Sequence, residues 1–217
     1  IKFKKNKIVA ILGPTASGKT GLAVKLAHKF KGEIVSADSR QVYKYMDIGT
    51  GKDLNEYNFT VKTEAGKTKK ISIPYHLIDV VSPNTDFNLS KYQKMAYKSL
   101  DNILIRGKLP ILAGGSGLYL QAVVDGFNLS SVGANKKQRE KKEKQGADKL
   151  QACIAEINPS FASKINESDR KNPRRLARYL EILKQGNFRP EKSSNNYNFL
   201  LIGTKVSKEE LDKKIFD

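Results

Sequence analysis

The stretch "KIVAILGPTASGKT", Lys7 to Thr20, constrains this chain more than any other. An apolar run long enough for one buried strand leads straight into Gly-x-x-x-x-Gly-Lys-Thr. Leu22, Ala23, Leu26, Ala27 and Phe30 then follow at helical spacing. In such a loop the glycines permit backbone angles and close approaches that a side chain forbids, so consecutive N–H groups converge on one anion. Lys19 supplies a mobile charge, Thr20 offers a hydroxyl to Mg²⁺, and the helix N-terminus adds partial positive charge. The pattern predicts a phosphate-binding loop made of Gly13, Thr15, Ala16, Ser17, Gly18, Lys19 and Thr20. It leaves open which phosphate compound is held.

A second strand, "GEIVSADS" (Gly32 to Ser39), completes a strand–helix–strand unit, which requires a parallel sheet. Between Asp53 and Pro74 the pattern alternates and turns at Glu64-Ala65-Gly66-Lys67, a β-hairpin, and Tyr75 to Val81 reads as a further short strand. Asn88 to Gly107 reads as an amphipathic helix capped by Ser90, and "KLPILAGGSGLYLQAVVDG" repeats strand, glycine turn and helix. From about Asn128 the composition shifts to basic helical segments that end in "RPEKSSNNY", before an apolar strand (Asn198 to Val206) and a helix start. The expected organisation is an α/β core of P-loop NTPase-like parallel sheet flanked by helices, over residues 1–130 and 198–217. A basic helical insertion occupies 131–197.

Lys plus Arg number 40 against 22 Asp plus Glu, a net charge of +18, which favours a polyanionic partner. Cys153 is the single cysteine and there are two histidines, so neither an internal disulfide nor a Cys/His zinc cluster is expected, and the composition suits a reducing cytoplasm. The basic, then apolar, start runs directly into the glycine loop and reads as a strand, not a leader; no stretch reaches the roughly 20 apolar residues of a membrane span.

Asp38 falls at the C-terminal end of the second strand, the edge where open α/β sheets place ligands. There it could hold Mg²⁺ through water, accept a proton from a nucleophile, or merely cap a turn. "AGGSG" (Ala113 to Gly117) could present further backbone donors and the Ser116 hydroxyl, or be a plain strand-to-helix turn. An ordinary ATPase would end its neighbouring apolar strand in a magnesium-binding Asp; "PILAGG" ends in Gly, which weakens that reading.

Taken together, "GPTASGKT", "SADSRQVYKYMDIGTGK", "PYHLIDVVSP", "LPILAGGSGLYLQAVVDG" and "NPRRLARYLEI" resemble the tRNA dimethylallyltransferase (tRNA isopentenyltransferase) family, in the family's order and over most of the chain. The resemblance implies that Thr15 to Thr20 hold the diphosphate of dimethylallyl diphosphate, with Mg²⁺ at Thr20. It implies that Asp38 is the general base, with Lys19 and Thr20 stabilising the leaving group. The substrate would be tRNA, prenylated on the exocyclic amine of the adenosine just 3′ of the anticodon. Asp38, Ser39, Arg40, Gln41 and Ser116 would contact the target nucleotide; Arg139, Arg174, Arg175 and Arg178 would contact tRNA elsewhere. A cytoplasmic monomer with no membrane partner is expected. Tyr43, Tyr119 and Phe127 are aromatic candidates for stacking on bases, with core packing the alternative use.

Tyr75-His76 stands where many relatives carry two histidines, so a structural role is expected for His76. Relatives continue past "SKEELDKKI" into a helix whose arginine contacts the diphosphate, whereas this sequence stops at Asp217. Three rival functions remain: an adenylate isopentenyltransferase using free AMP, ADP or ATP, a small-molecule P-loop kinase, and a tRNA-binding protein without catalysis.

Overall fold

A computed structural model describes residues 6–52, 54–62, 66–127, 129, 136–184 and 196–216. Five parallel strands form its main sheet in the order β5-β2-β6-β1-β7: β1 (Lys7–Leu12), β2 (Glu33–Ser36), β5 (Tyr75–His76), β6 (Pro110–Ala113) and β7 (Asn198–Gly203). The register runs Val9 against Ile111 and Leu200, and Val35 against Leu112 and His76. Because side chains alternate across a strand, each buried strand feeds two cores. Ile8, Ala10, Val35 and Leu112 pack on one face under α2 (Leu89–Ile105) and α3 (Gly117–Val124). Ile11, Ile34 and Ile111 pack on the other with Ala23, Val24 and Ala27 of α1 (Lys19–Phe30).

The second core extends to a hairpin of β3 (Asn58–Lys62) and β4 (Thr68–Ser72), entered through a short 3₁₀ turn, Leu54–Tyr57. Its expected turn residues Glu64 and Ala65 lie outside the described residues. Two local expectations need correction. Asn88, not Ser90, caps α2: its side chain accepts a bond from Lys91 N at 3.0 Å. The strand expected over Tyr75 to Val81 stops at His76, because Leu77 (φ 64°) and Asp79 (φ 55°) turn left-handed. That turn carries the Asp79 carboxylate to Lys52, 2.6 Å away.

By internal contacts the chain divides into one unit of residues 1–127 with 192–217 and a second of 128–191. The second contains α4 (Lys136–Glu143), α5 (Ala147–Ile157), α6 (Pro159–Lys164), α7 (Glu167–Arg170) and α8 (Pro173–Lys184). Leu150 and Ile154 of α5 meet Leu176, Ala177, Leu180 and Leu183 of α8, a stripe at helical spacing. α9 (Lys208–Phe216) belongs to the first unit.

Candidate active site

Strands β2, β6 and β1 are neighbours, so the loops leaving their C-terminal ends meet. Those loops are the glycine loop after β1, Asp38 to Gln41 after β2 and Gly114 to Ser116 after β6. All three line one cavity of about 630 Å³. Packing this tight demands glycine at Gly114, where a Cβ would stand 2.2 Å from Ala37 O. The loops are also stitched directly: Ser39 N donates to Ser116 Oγ at 2.9 Å, and Ser116 N to Ala37 O at 3.1 Å.

In the glycine loop Ala16 (φ 61°) and Gly18 (φ 79°) both adopt left-handed angles, the alternation that turns successive amides toward one point. Thr15, Ala16, Gly18, Lys19 and Thr20 line the cavity. Gly13 and Ser17 stand behind it: the Ser17 hydroxyl is 2.7 Å from Thr204 Oγ1, and a Cβ on Gly13 would meet that same oxygen at 2.0 Å. Thr204, directly after β7, is thus a supporting residue that sequence reasoning missed. Its only signal was a hydroxyl residue just past an apolar strand.

Lys19 is buried at the base of the loop and its ammonium donates to Pro14 O. Burial pushes its pKa down, and the negative charge of Asp38 partly opposes that. Asp38 Oδ1 accepts from the amides of Arg40 (2.8 Å) and Gln41 (3.3 Å), which fixes the carboxylate. Oδ2 takes no hydrogen bond among the described residues. A Cβ on Gly115 would lie 3.6 Å from Oδ2 and 3.9 Å from Thr15 Oγ1, so the bare glycine leaves both oxygens facing one gap. Gln41 is held by Ser36 Oγ (3.0 Å) and by its own bond to Gly51 O (2.9 Å). Apolar side chains of Ala23, Ile34, Tyr57 and Ile78 complete the wall.

A loop with converging amides and a lysine, beside a carboxylate with one open oxygen, suits a phosphate compound bound next to a group that loses a proton. The family is decided by likeness. A family model for IPP transferase matches residues 41–217, and one for isopentenyl transferase matches residues 6–64. The chain belongs to the IPP transferase family. A tRNA dimethylallyltransferase 1 of Syntrophus aciditrophicus is 43% identical over 211 residues, covering 96% of this chain and 65% of the relative. The crystal structure of a full-length tRNA isopentenylpyrophosphate transferase from Bacillus halodurans is 37% identical with a TM-score of 0.58, covering 97% of this chain and 64% of that one. A eukaryotic dimethylallyltransferase, 24% identical with a TM-score of 0.70, shares the fold; it covers 97% of this chain and 52% of that one. The chain spans less than two thirds of the length of these relatives.

The aromatic candidates and His76 do not line the cavity. Tyr119 lies against the buried Tyr92 (4.3 Å between ring centres) and is tied into the core, while Tyr43 packs edge-on to Phe87 (6.3 Å) at its margin. Phe127, half-buried, accepts on its carbonyl from Gln93 Nε2 at 2.8 Å. His76 bonds the buried Glu33 at 2.7 Å and serves as a structural partner.

In the second unit Asn172 Oδ1 accepts from Arg175 N at 3.2 Å and Pro173 opens α8. Arg175 pairs with Asp169, and Arg178 lies 3.1 Å from Glu181. Arg174 is exposed, with no ion pair among the described residues. Arg139 lies in α4, its side chain outside the described residues.

Proposed function

We propose that the protein transfers the dimethylallyl group of dimethylallyl diphosphate to the exocyclic amine of the adenosine just 3′ of a tRNA anticodon, releasing diphosphate. The observation that carries this reading is the cavity that joins the glycine loop, Asp38 and Ser116 around one space. The loop amides and Lys19 bind the diphosphate and take up negative charge as the carbon–oxygen bond breaks. The adenine nitrogen forms its bond to the allylic carbon, and its proton passes to Asp38 Oδ2, which Oδ1's two amide bonds hold in place. An exocyclic amine is a weak nucleophile, so orientation matters as much as proton removal, and Ser39, Arg40, Gln41 and Ser116 supply polar groups around the base.

The donor set at the loop fits Mg²⁺: the Thr20 hydroxyl and, through water, Asp38 are hard oxygen donors beside a phosphate cradle. Such an ion would neutralise the departing diphosphate. The exposed Arg174 and the lysine-rich α4 suit tRNA phosphates, which supports the basic insertion over 131–197 as an RNA-contacting domain. A reducing cytoplasm fits the single Cys153, and no described helix is long and apolar enough to cross a membrane.

Incubation with dimethylallyl diphosphate, Mg²⁺ and bulk tRNA, followed by nuclease digestion and mass spectrometry, tests the reading. A prenylated adenosine is expected. Product only with free AMP would replace tRNA by a nucleotide substrate, and ATP turnover without any allyl donor would point to a kinase.

A further inference from the structure

The loop from Lys44 to Gly51 forms part of the cavity wall through Gly49, Thr50 and Gly51, yet none of its residues takes part in the chemistry above. It is firmly anchored. The Lys52 ammonium donates to Tyr43 O (2.6 Å), Asp79 Oδ1 (2.6 Å) and Asp47 Oδ1 (3.1 Å), with a side chain only 1% exposed. Thr50 Oγ1 donates to Met46 O at 2.6 Å, closing the turn.

On this anchored turn Tyr45 is 85% exposed and Ile48 99%, beside a partly exposed Met46. Tyr45 also has φ 64°, a left-handed conformation that is costly for a bulky residue. A rigid turn that holds large apolar side chains in water, against a backbone preference, marks a contact surface. Ile48 immediately precedes Gly49, so the surface borders the mouth of the cavity.

What reaches that mouth follows from the chemistry inside. A base that enters is extruded from its strand, which leaves its neighbours unstacked at the rim. Unpaired bases cover their faces on aromatic and apolar side chains, and a chain of net charge +18 attracts the strand that carries them. We propose that Tyr45 and Ile48 form a platform on which an unpaired base adjacent to the target nucleotide stacks. The proposal rests on the RNA-substrate reading above.

The probe is an anticodon stem-loop RNA with 2-aminopurine beside the target adenosine, titrated against the protein and its Tyr45→Ala, Tyr45→Phe and Ile48→Ser variants, with transfer kinetics in parallel. Expected are quenching on binding to the unsubstituted protein, its loss in Tyr45→Ala, and retention in Tyr45→Phe. KM for RNA should rise about tenfold in Tyr45→Ala and less in Ile48→Ser, with affinity for dimethylallyl diphosphate unchanged. Ile105→Ser, equally exposed at the end of α2, serves as a control that leaves all readouts in place. Unchanged quenching and KM in Tyr45→Ala, with transfer intact, overturn the platform and leave the transfer reading standing. Tyr45-dependent quenching without any transfer supports the platform and removes the transfer reading. A Tyr45→Ala protein whose sedimentation changes while its RNA affinity does not would mean that a second copy covers the patch, and overturns the proposal.

Discussion

The Ser17 hydroxyl lies 2.7 Å from Thr204 Oγ1, so the strand farthest along the chain braces the loop nearest its start. Thr204 N also donates to Leu12 O at 2.8 Å, continuing the β1–β7 ladder into the loop. Thr204→Val removes the partner of a buried hydroxyl. A net loss of roughly 1 kcal/mol in loop order corresponds to about a fivefold rise in KM for dimethylallyl diphosphate with kcat little changed. Gly13→Ala, whose new Cβ would meet Thr204 Oγ1 at 2.0 Å, should weaken diphosphate binding further. Thr204→Ala in the same molecule should restore part of that loss, since the two sites touch and are not additive. Calorimetric titration of the single and double variants checks both points.

Asp38→Asn keeps an oxygen to accept from the Arg40 and Gln41 amides but cannot take a proton. The loop should therefore hold its shape while kcat falls at least ~100-fold, the scale of lost general-base catalysis. Single-turnover transfer assays, with RNA and diphosphate affinities measured separately, distinguish this from a binding defect. Near-normal turnover would remove Asp38 from the mechanism.

The parallel sheet was readable because buried strands write themselves as short apolar runs, and "GPTASGKT" between a strand and a helix fixes its own local geometry. Asp38 and Ser116 were readable as ends of such strands; that they face one cavity followed from strand order, which the sequence alone does not display. Thr204 stayed hidden because its partner Ser17 is 187 residues away and Thr204 itself belongs to no motif. Nothing in the sequence separates Tyr45 from Tyr43 and Tyr119, since it gives ring identity but not which rings stay in water. The end of β5 at His76 comes with left-handed turns at Leu77 and Asp79, and the Asp79 carboxylate there meets Lys52, a contact 27 residues away that the local pattern of "YHLIDVV" does not display.

The arginines of α8 separate into two classes that mutation can resolve. Arg174→Ala should weaken tRNA binding uniformly across sequences and reduce the salt slope by about one counterion, as expected of a phosphate contact. Arg175→Ala should instead lower thermal stability, because it strips Asp169 of its cation. The hydrogen bonds from Tyr179 and Arg175 hold the Asp169 carboxyl below its usual pKa. Filter binding over a salt series, beside thermal melts, checks the division; an unchanged slope in Arg174→Ala would make that residue a solvated surface charge.

Glu33 anchors a charge cluster at the start of β2. Burial would raise its pKa from the ordinary 4.5, but hydrogen bonds from Arg106 and Lys108 and the contact with His76 outweigh it and hold the carboxyl at about 2. A carboxylate depressed in the folded state adds stability that is fully present above the unfolded value and is lost as pH falls toward the folded one. The contribution of Glu33 is therefore complete above about pH 5 and fades between about 4.5 and 2. Glu33→Gln deletes the negative charge from beneath Arg106 and Lys108. Both cations are part-exposed and recover some hydration, so the loss at neutral pH should be about 2 kcal/mol, below that for a fully buried pair. Denaturant titrations between pH 7 and 3 should show the two proteins converging as pH falls, since protonation removes in one what substitution removed in the other. A constant gap across that range would mean that Glu33 stabilises β2 through packing and not through charge.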